Sequence, residues 1–213
     1  MDLHESTKGN LLEAATEVFV KKGFSGARVD EIARRAGANK AMIYYHFRSK
    51  KGLYRAVLLQ HVGGLQEEIG RVAQAEADPV RRLAAFYGAL GRVFRARPAL
   101  PYMMVREILS GGVHMDVEVA RALKGVIAFV RATVEQGVAG GRMRPANPLF
   151  VHFTMMAPLM LFGVSRPFRE RLMPVAAPEE GPLQPEAFAA HLEDVLVRIL
   201  TPDTVDRTKQ ELT

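Results

Sequence analysis

The chain has 213 residues, of which 48% are hydrophobic and 24% charged, a balance that suits a globular chain with a substantial core. It contains no cysteine, so disulfides, thiolate metal sites and a cysteine nucleophile are excluded and a reducing cytoplasm is the expected setting. Its longest apolar run, Phe153 to Val164, spans 12 residues with Pro158 inside it, and Met1 to Asn10 is polar, so neither a membrane span nor a signal peptide is expected.

Apolar spacing predicts helices from end to end. The first runs from Ser6 or Thr7 to Lys22, with Leu11, Leu12, Ala15, Val18 and Phe19 on one side and Gly23 as its stop. The second covers Arg28 to Ala36, the third Lys40 to Phe47, and Ser49 reads as the cap of a long fourth helix striped by Leu53, Val57, His61, Leu65, Ile69 and Val72. Val80 to Ala96 carries Leu83, Phe86, Tyr87, Leu90 and Phe94; Pro98 and Pro101 bracket a corner, and a short helix continues to Leu109. Val117 to Ala139 has Val117, Ala120, Leu123, Ile127, Val130, Val134 and Val138 as its expected buried stripe. Helices at about Pro148–Phe168 and Pro185–Leu200 flank a proline-rich link, and no alternating strand pattern occurs. An all-α fold follows.

The stretch Val29 to Phe47 holds two short helices joined by a tight turn. Ala33 falls where they cross, Gly37 where the turn needs positive φ, and Ile43 where the second helix enters the core, the spacing of a helix-turn-helix. At 100° per residue Ile43 and Phe47 face inward, Ala41 and Tyr45 outward, with Lys40 and Tyr44 on one shoulder and Met42 and His46 on the other. Such a helix fits a major groove walled by phosphate. Lys40 follows the expected cap Asn39, and Lys50 and Lys51 follow Ser49; cations at helix starts oppose the macrodipole, and phosphate docking would compensate. Residues 1 to 55 hold eleven Lys/Arg against six Asp/Glu, while the rest hold 18 against 17, so nearly all of the net charge of +6 surrounds this motif. That segregation favours a polyanionic partner.

Over Leu11 to Val57 the chain resembles the TetR family of bacterial transcriptional regulators, through Tyr44, Tyr45, His46 and Phe47 followed by Ser49 and Lys50. The resemblance implies that Lys40, Ala41, Tyr44, Tyr45, His46 and Lys50 contact DNA; the candidate set from residues and resemblance together also takes in Arg28, Asn39, Met42 and Lys51. Two positions depart from the family pattern: Ala27-Arg28 stands where a hydroxyl residue often caps the second helix, and Lys51 stands where an acid is usual. The resemblance further implies a homodimer held by Pro148–Phe168 and Pro185–Leu200, a palindromic double-stranded DNA operator, and a small-molecule effector that lowers DNA affinity.

Three segments are expected: 1–55 as a helix-turn-helix DNA-binding head, 56–201 as a helical effector-binding and dimerisation bundle, and 202–213 as a flexible tail. Eight of ten methionines lie between Met103 and Met173. Phe86, Met103, Met104, Phe153, Met156 and Met160, with Arg106 and Glu107 to orient a polar end, are the candidate lining of an adaptable apolar pocket; plain core or interface is the other reading. His114 and His152 have no second ligand at metal-like spacing, and no cofactor loop or catalytic set is found, so neither metal, cofactor nor enzyme activity is expected. Gly63-Gly64 in the fourth helix marks either a bend or a close approach. The function expected is a homodimeric repressor released by a largely apolar effector; a ligand-responsive activator, or a ligand-binding protein of the same fold without DNA binding, is the alternative.

Overall fold

In the computed structural model, residues 3–177, 179, 181 and 183–202 are described, with side chains from Ser6 onward. These residues form ten helices: α1 (Leu3–Gly26), α2 (Val29–Arg35), α3 (Lys40–Phe47), α4 (Lys50–Ala75), α5 (Pro79–Ala96), α6 (Ala99–Leu109), α7 (Val117–Ala139), α8 (Pro148–Val164), α9 (Arg166–Ala176) and α10 (Pro185–Leu200). No strand occurs among them. Beyond Pro202, the expected tail lies outside the described residues.

Local chemistry sets most of the boundaries. Asn39, Ser49, Asp78, Asp116 and Asn147 each accept a backbone N–H of the first turn of the helix they cap. Pro79, Pro148 and Pro185 occupy first-turn positions, where the missing N–H has no intrahelical partner to lose. Gly23 stops the regular part of α1 with φ 69° and ψ 179°, and a last turn carries the element on to Gly26.

Three expectations need correction. The predicted helix Pro148–Phe168 is two helices, because Pro167 cannot donate the N–H that would continue the ladder; it enters the first turn of α9 instead, and the axes bend by 80°. Pro174 to Ala176, expected in the link, close α9. Along α7 the buried stripe runs through Val119, Val126, Val130, Thr133 and Val134, leaving Val117 and Ala120 exposed. Asp116 caps α7, and in its first turn Val119, not Val117, meets the core. Among the described residues no single helix is long and apolar enough to cross a membrane.

Buried side chains fall into two clusters. The first is built from α1 to α4 around Leu11, Phe19, Ile32, Ile43, Leu53 and Tyr54, with Met103 of α6 and Val119 of α7 inserted from beyond it. The second runs from Val62 to Leu200 and takes in Leu83, Phe86, Leu90, Val130 and Met155. α4 passes through both without interruption at Gly63-Gly64; Gly64 instead leaves room for the Arg97 guanidinium, which stands 3.0 Å from where a Cβ would be.

The junction of α3 and α4 is the tightest place in the N-terminal cluster. A Cβ on Gly52 would meet the Phe47 carbonyl oxygen at 2.0 Å, so only glycine lets the start of α4 close against the end of α3. Gly52→Ala is therefore expected to destabilise this cluster by about 1–3 kcal/mol, read as a lowered urea midpoint. An unchanged midpoint would show that the junction has slack.

Candidate nucleic-acid interface

The helix-turn-helix owes its shape to a few apolar anchors. Ile32 and Ala33 of α2 and Ile43 and Phe47 of α3 are buried, and Gly37 turns the chain between them with φ 62°. Ala38 N–H donates to the Ala33 carbonyl at 3.0 Å, closing the turn. With Ile43 fully buried, the opposite side of α3 must face solvent: Tyr45 is 67% exposed and Tyr44 45%. Ala41 is exposed, while Met42 and His46 are half-buried on the remaining shoulder. From Ala41 to Phe47 the seven α3 side chains thus lie on the sides of the helix that the sequence pattern gave them.

The flanking groups differ in how free they are. The Asn39 side chain accepts the Ala41 N–H at 2.9 Å, so it caps α3 and has one oxygen already used. Lys40 Nζ lies 2.8 Å from Asp30 of α2, a hydrogen bond and charge that hold its pKa above the ordinary lysine value. Both are exposed, so a phosphate can exchange for Asp30 at little cost. Lys50 is drawn inward: its ammonium stands 4.6 Å above the Phe24 ring, and burial lowers its pKa. Lys51 and Arg28 are exposed, and Arg28 makes no side-chain cap on α2, as the departure from the family pattern implied. Arg48, at the end of α3, takes φ 68°, a left-handed position that sequence pattern alone did not single out.

Behind this face lies a polar joint that sequence reasoning assigned elsewhere. Tyr54 of α4 donates to Glu107 Oε1 of α6 at 2.7 Å, across 53 residues. His114 places Nδ1 3.1 Å from the same oxygen and donates its backbone N–H to Glu107 Oε2 at 3.3 Å. Phe24 stacks on the His114 ring with centroids 4.2 Å apart. Arg106 donates to the Lys21 carbonyl at 3.2 Å, passing over the site that Gly23 leaves without a Cβ. Burial, followed by the Glu107 hydrogen bond, pushes the Tyr54 phenol well above its usual range.

The eight candidate ligand residues are divided between the two clusters, the joint and the surface. Arg106 and Glu107 belong to the joint, and Met103 is buried beneath the N-terminal cluster. Phe86 is core, Met104, Met156 and Met160 pack against it, and Phe153 is 65% exposed. A cavity of about 920 Å³ lies instead between α5, α8, α9 and α10, and none of the eight lines it. Contacts between helices distant in sequence decided this, and methionine density carries no information about them.

The same geometry has counterparts among known proteins. The sequence pattern of the bacterial regulatory proteins of the tetR family matches residues 11–57, the segment that builds α3 and its supports. The chain is 30% identical over 160 residues to the HTH-type transcriptional repressor NicS of Pseudomonas putida, covering 74% of this chain and 76% of NicS. This chain belongs to the TetR family. It is 44% identical over 81 residues to the HTH-type transcriptional activator FasR of Mycolicibacterium smegmatis, a match that covers 38% of this chain and 37% of FasR. Among solved structures, the TetR family transcriptional regulator PfmR of Thermus thermophilus superposes with a TM-score of 0.67 at 23% identity, over 88% of this chain and 97% of PfmR. The chain is a TetR-type transcriptional regulator, and α3 occupies the recognition-helix position of its helix-turn-helix.

The joint makes its own prediction. Tyr54→Phe and Glu107→Ala should each destabilise the protein, and the double variant should lose less than the sum, with a coupling of about 1–3 kcal/mol for a buried hydrogen bond to a carboxyl group. Chemical unfolding of the four proteins measures it; strict additivity would mean that the two groups do not depend on each other.

Proposed function

We propose that this regulator is a homodimeric repressor that places α3 of each subunit in successive major grooves of a palindromic operator and leaves DNA when a small molecule binds the C-terminal bundle. The observation that carries the reading is the forced exposure of Tyr45 and Tyr44 on a helix whose other face is locked by Ile43 and Phe47. Tyr45 and Ala41 meet base edges and sugars; Tyr44, Met42 and His46 line the groove walls; Lys40, Lys51 and Arg28 meet phosphate. Lys50 works mainly by holding Phe24 and the first turn of α4 in place, with its charge directed toward the backbone of the duplex. Asn39 sets the start of α3.

We divide the chain at residue 55, with the DNA-binding head before it and the effector-binding and dimerisation bundle in 56–201. Support for the dimer comes from α8, where Phe150, Phe153, Ala157 and Leu161 form an exposed stripe at helical spacing. Burying two such faces removes apolar area from water at about 25 cal/mol per Å². Repression, rather than activation, is favoured because the likeness to NicS extends through most of the bundle, whereas that to FasR covers 81 residues.

Fluorescence anisotropy with the DNA upstream of the protein's own gene tests the reading. Wild-type protein should bind with steep salt dependence, and Tyr45→Ala should lose specific binding while its thermal unfolding is unchanged. Lys51→Ala should weaken all sequences alike and reduce the salt slope by about 1. Binding by Tyr45→Ala equal to wild type would remove α3 from the interface. For the dimer, Phe153→Asp should shift sedimentation toward the monomer; an unaltered profile would place the interface elsewhere.

A further inference from the structure

The cavity between α5, α8, α9 and α10 combines an aromatic wall with a charge imbalance. Phe162 of α8 and Phe188 of α10 stack with centroids 4.1 Å apart and planes within 9°, and Leu159 and Met173 extend the apolar lining. At about 920 Å³ the space is of the size that holds a drug-sized ligand.

Its charged groups do not cancel. Arg95 pairs with Glu186, and Arg166 Nε lies 2.7 Å from Glu170, so these four neutralise one another. Arg169 spends its hydrogen bonds on neutral groups, the Phe162 carbonyl and the Ser165 hydroxyl, while its guanidinium lies 3.6 Å above the Phe162 ring. Burial lowers its pKa and the neighbouring Arg166 adds to the lowering, while Glu170, already hydrogen-bonded to Arg166, opposes it. Among the described residues, Arg92 has no carboxylate within ion-pair distance. Burial raises the Glu193 pKa and the Arg92 charge opposes that rise, so the lining as a whole sets four arginines against the three carboxylates of Glu170, Glu186 and Glu193. Gly88, inside α5, makes the arrangement possible: a Cβ there would stand 2.2 Å from Glu193 Oε1 and 3.7 Å from Arg92 Nη1. Glycine in a helix interior costs about 1 kcal/mol relative to alanine, so its presence there fits the close approach of the Glu193 carboxylate.

We infer that this cavity takes a flat or extended apolar molecule ending in a carboxylate, its ring or chain against Phe162 and Phe188 and its anionic end between Arg92 and Arg169. The inference rests on the effector-controlled reading above and gives that effector a chemical class and a place. The place has a mechanical consequence. α8 supplies both part of the cavity wall and the exposed apolar stripe, so a ligand that moves it changes how two subunits meet and how far apart their recognition helices stand.

Isothermal titration of the full chain with 2-naphthoate, its isosteric neutral amide 2-naphthamide, and 2-naphthylmethylamine tests it without DNA. The carboxylate should bind at least about ten-fold more tightly than the amide, a difference in keeping with one charge-assisted hydrogen bond, and the amine should bind weakest. Arg92→Gln should remove the preference for the carboxylate over the amide, and Arg92→Lys should restore part of it. Gly91→Met, whose Cβ meets only Leu159 and Ala189 at ordinary contact distances of 3.5 and 3.8 Å, should fill the space, abolish binding and keep the melting temperature. Three results would each overturn the inference: no binding of naphthoate up to millimolar concentration, equal affinity for acid and amide, or an Arg92→Gln protein that still prefers the acid. Because the titration contains no operator, it stands or falls apart from DNA recognition; a chain that bound no operator would still give its answer.

Discussion

Burial of Ile43 and Phe47 is the constraint on which the DNA-facing surface depends. A helix of eight residues has little stability of its own, so α3 keeps its orientation only because two side chains on one face are held in the core formed by α1, α2 and α4. Fixing that face fixes the other, and Tyr44 and Tyr45 are exposed because Ile43 cannot be. Gly52 tightens the arrangement by letting the first turn of α4 approach the Phe47 carbonyl. The exposed surface of α3 is thus a product of core packing.

The same core is open to influence from the other end of the molecule. Met103 and Val119, from α6 and α7, complete the N-terminal cluster, and the Tyr54–Glu107–His114 contacts tie α4 to the segment between α6 and α7. A shift of α6 therefore cannot leave α4 untouched without stranding buried polar groups, each of which costs about 1–3 kcal/mol when unpaired. α4, continuous from Lys50 to Ala75, carries any such shift over its whole length. The joint and one unbroken helix thus link the N-terminal cluster to the rest of the chain.

The sequence was most legible where geometry is local. Ala33, Gly37 and Ile43 each occupy a slot that their own neighbours define, and the caps Asn39 and Ser49 act within three residues, so spacing alone placed them. The break at Ser165 was harder: the apolar pattern continues past it, and only the missing N–H of Pro167 distinguishes two helices from one. At the start of α7 the expected stripe missed the buried side, because valines occur on several faces there and periodicity alone does not choose among them, while Val130 and Val134 further on are buried as expected. Glu107 and Arg106 were assigned to a ligand because they stand next to methionines in the chain; their true neighbours, Tyr54 and Lys21, come from other helices. The cavity likewise draws its walls from four elements far apart in sequence, and no local signal announced it.

Selection of bound duplexes from a random pool tests the central claim most directly, since it presupposes neither an operator sequence nor an effector. The account predicts enrichment of a two-fold symmetric sequence whose half-sites are centred one helical turn apart or a multiple of it, about 34–36 Å per turn. Failure to enrich any duplex, or enrichment of a single asymmetric site, would contradict the picture of two tyrosine-bearing recognition helices presented by a symmetric pair of chains.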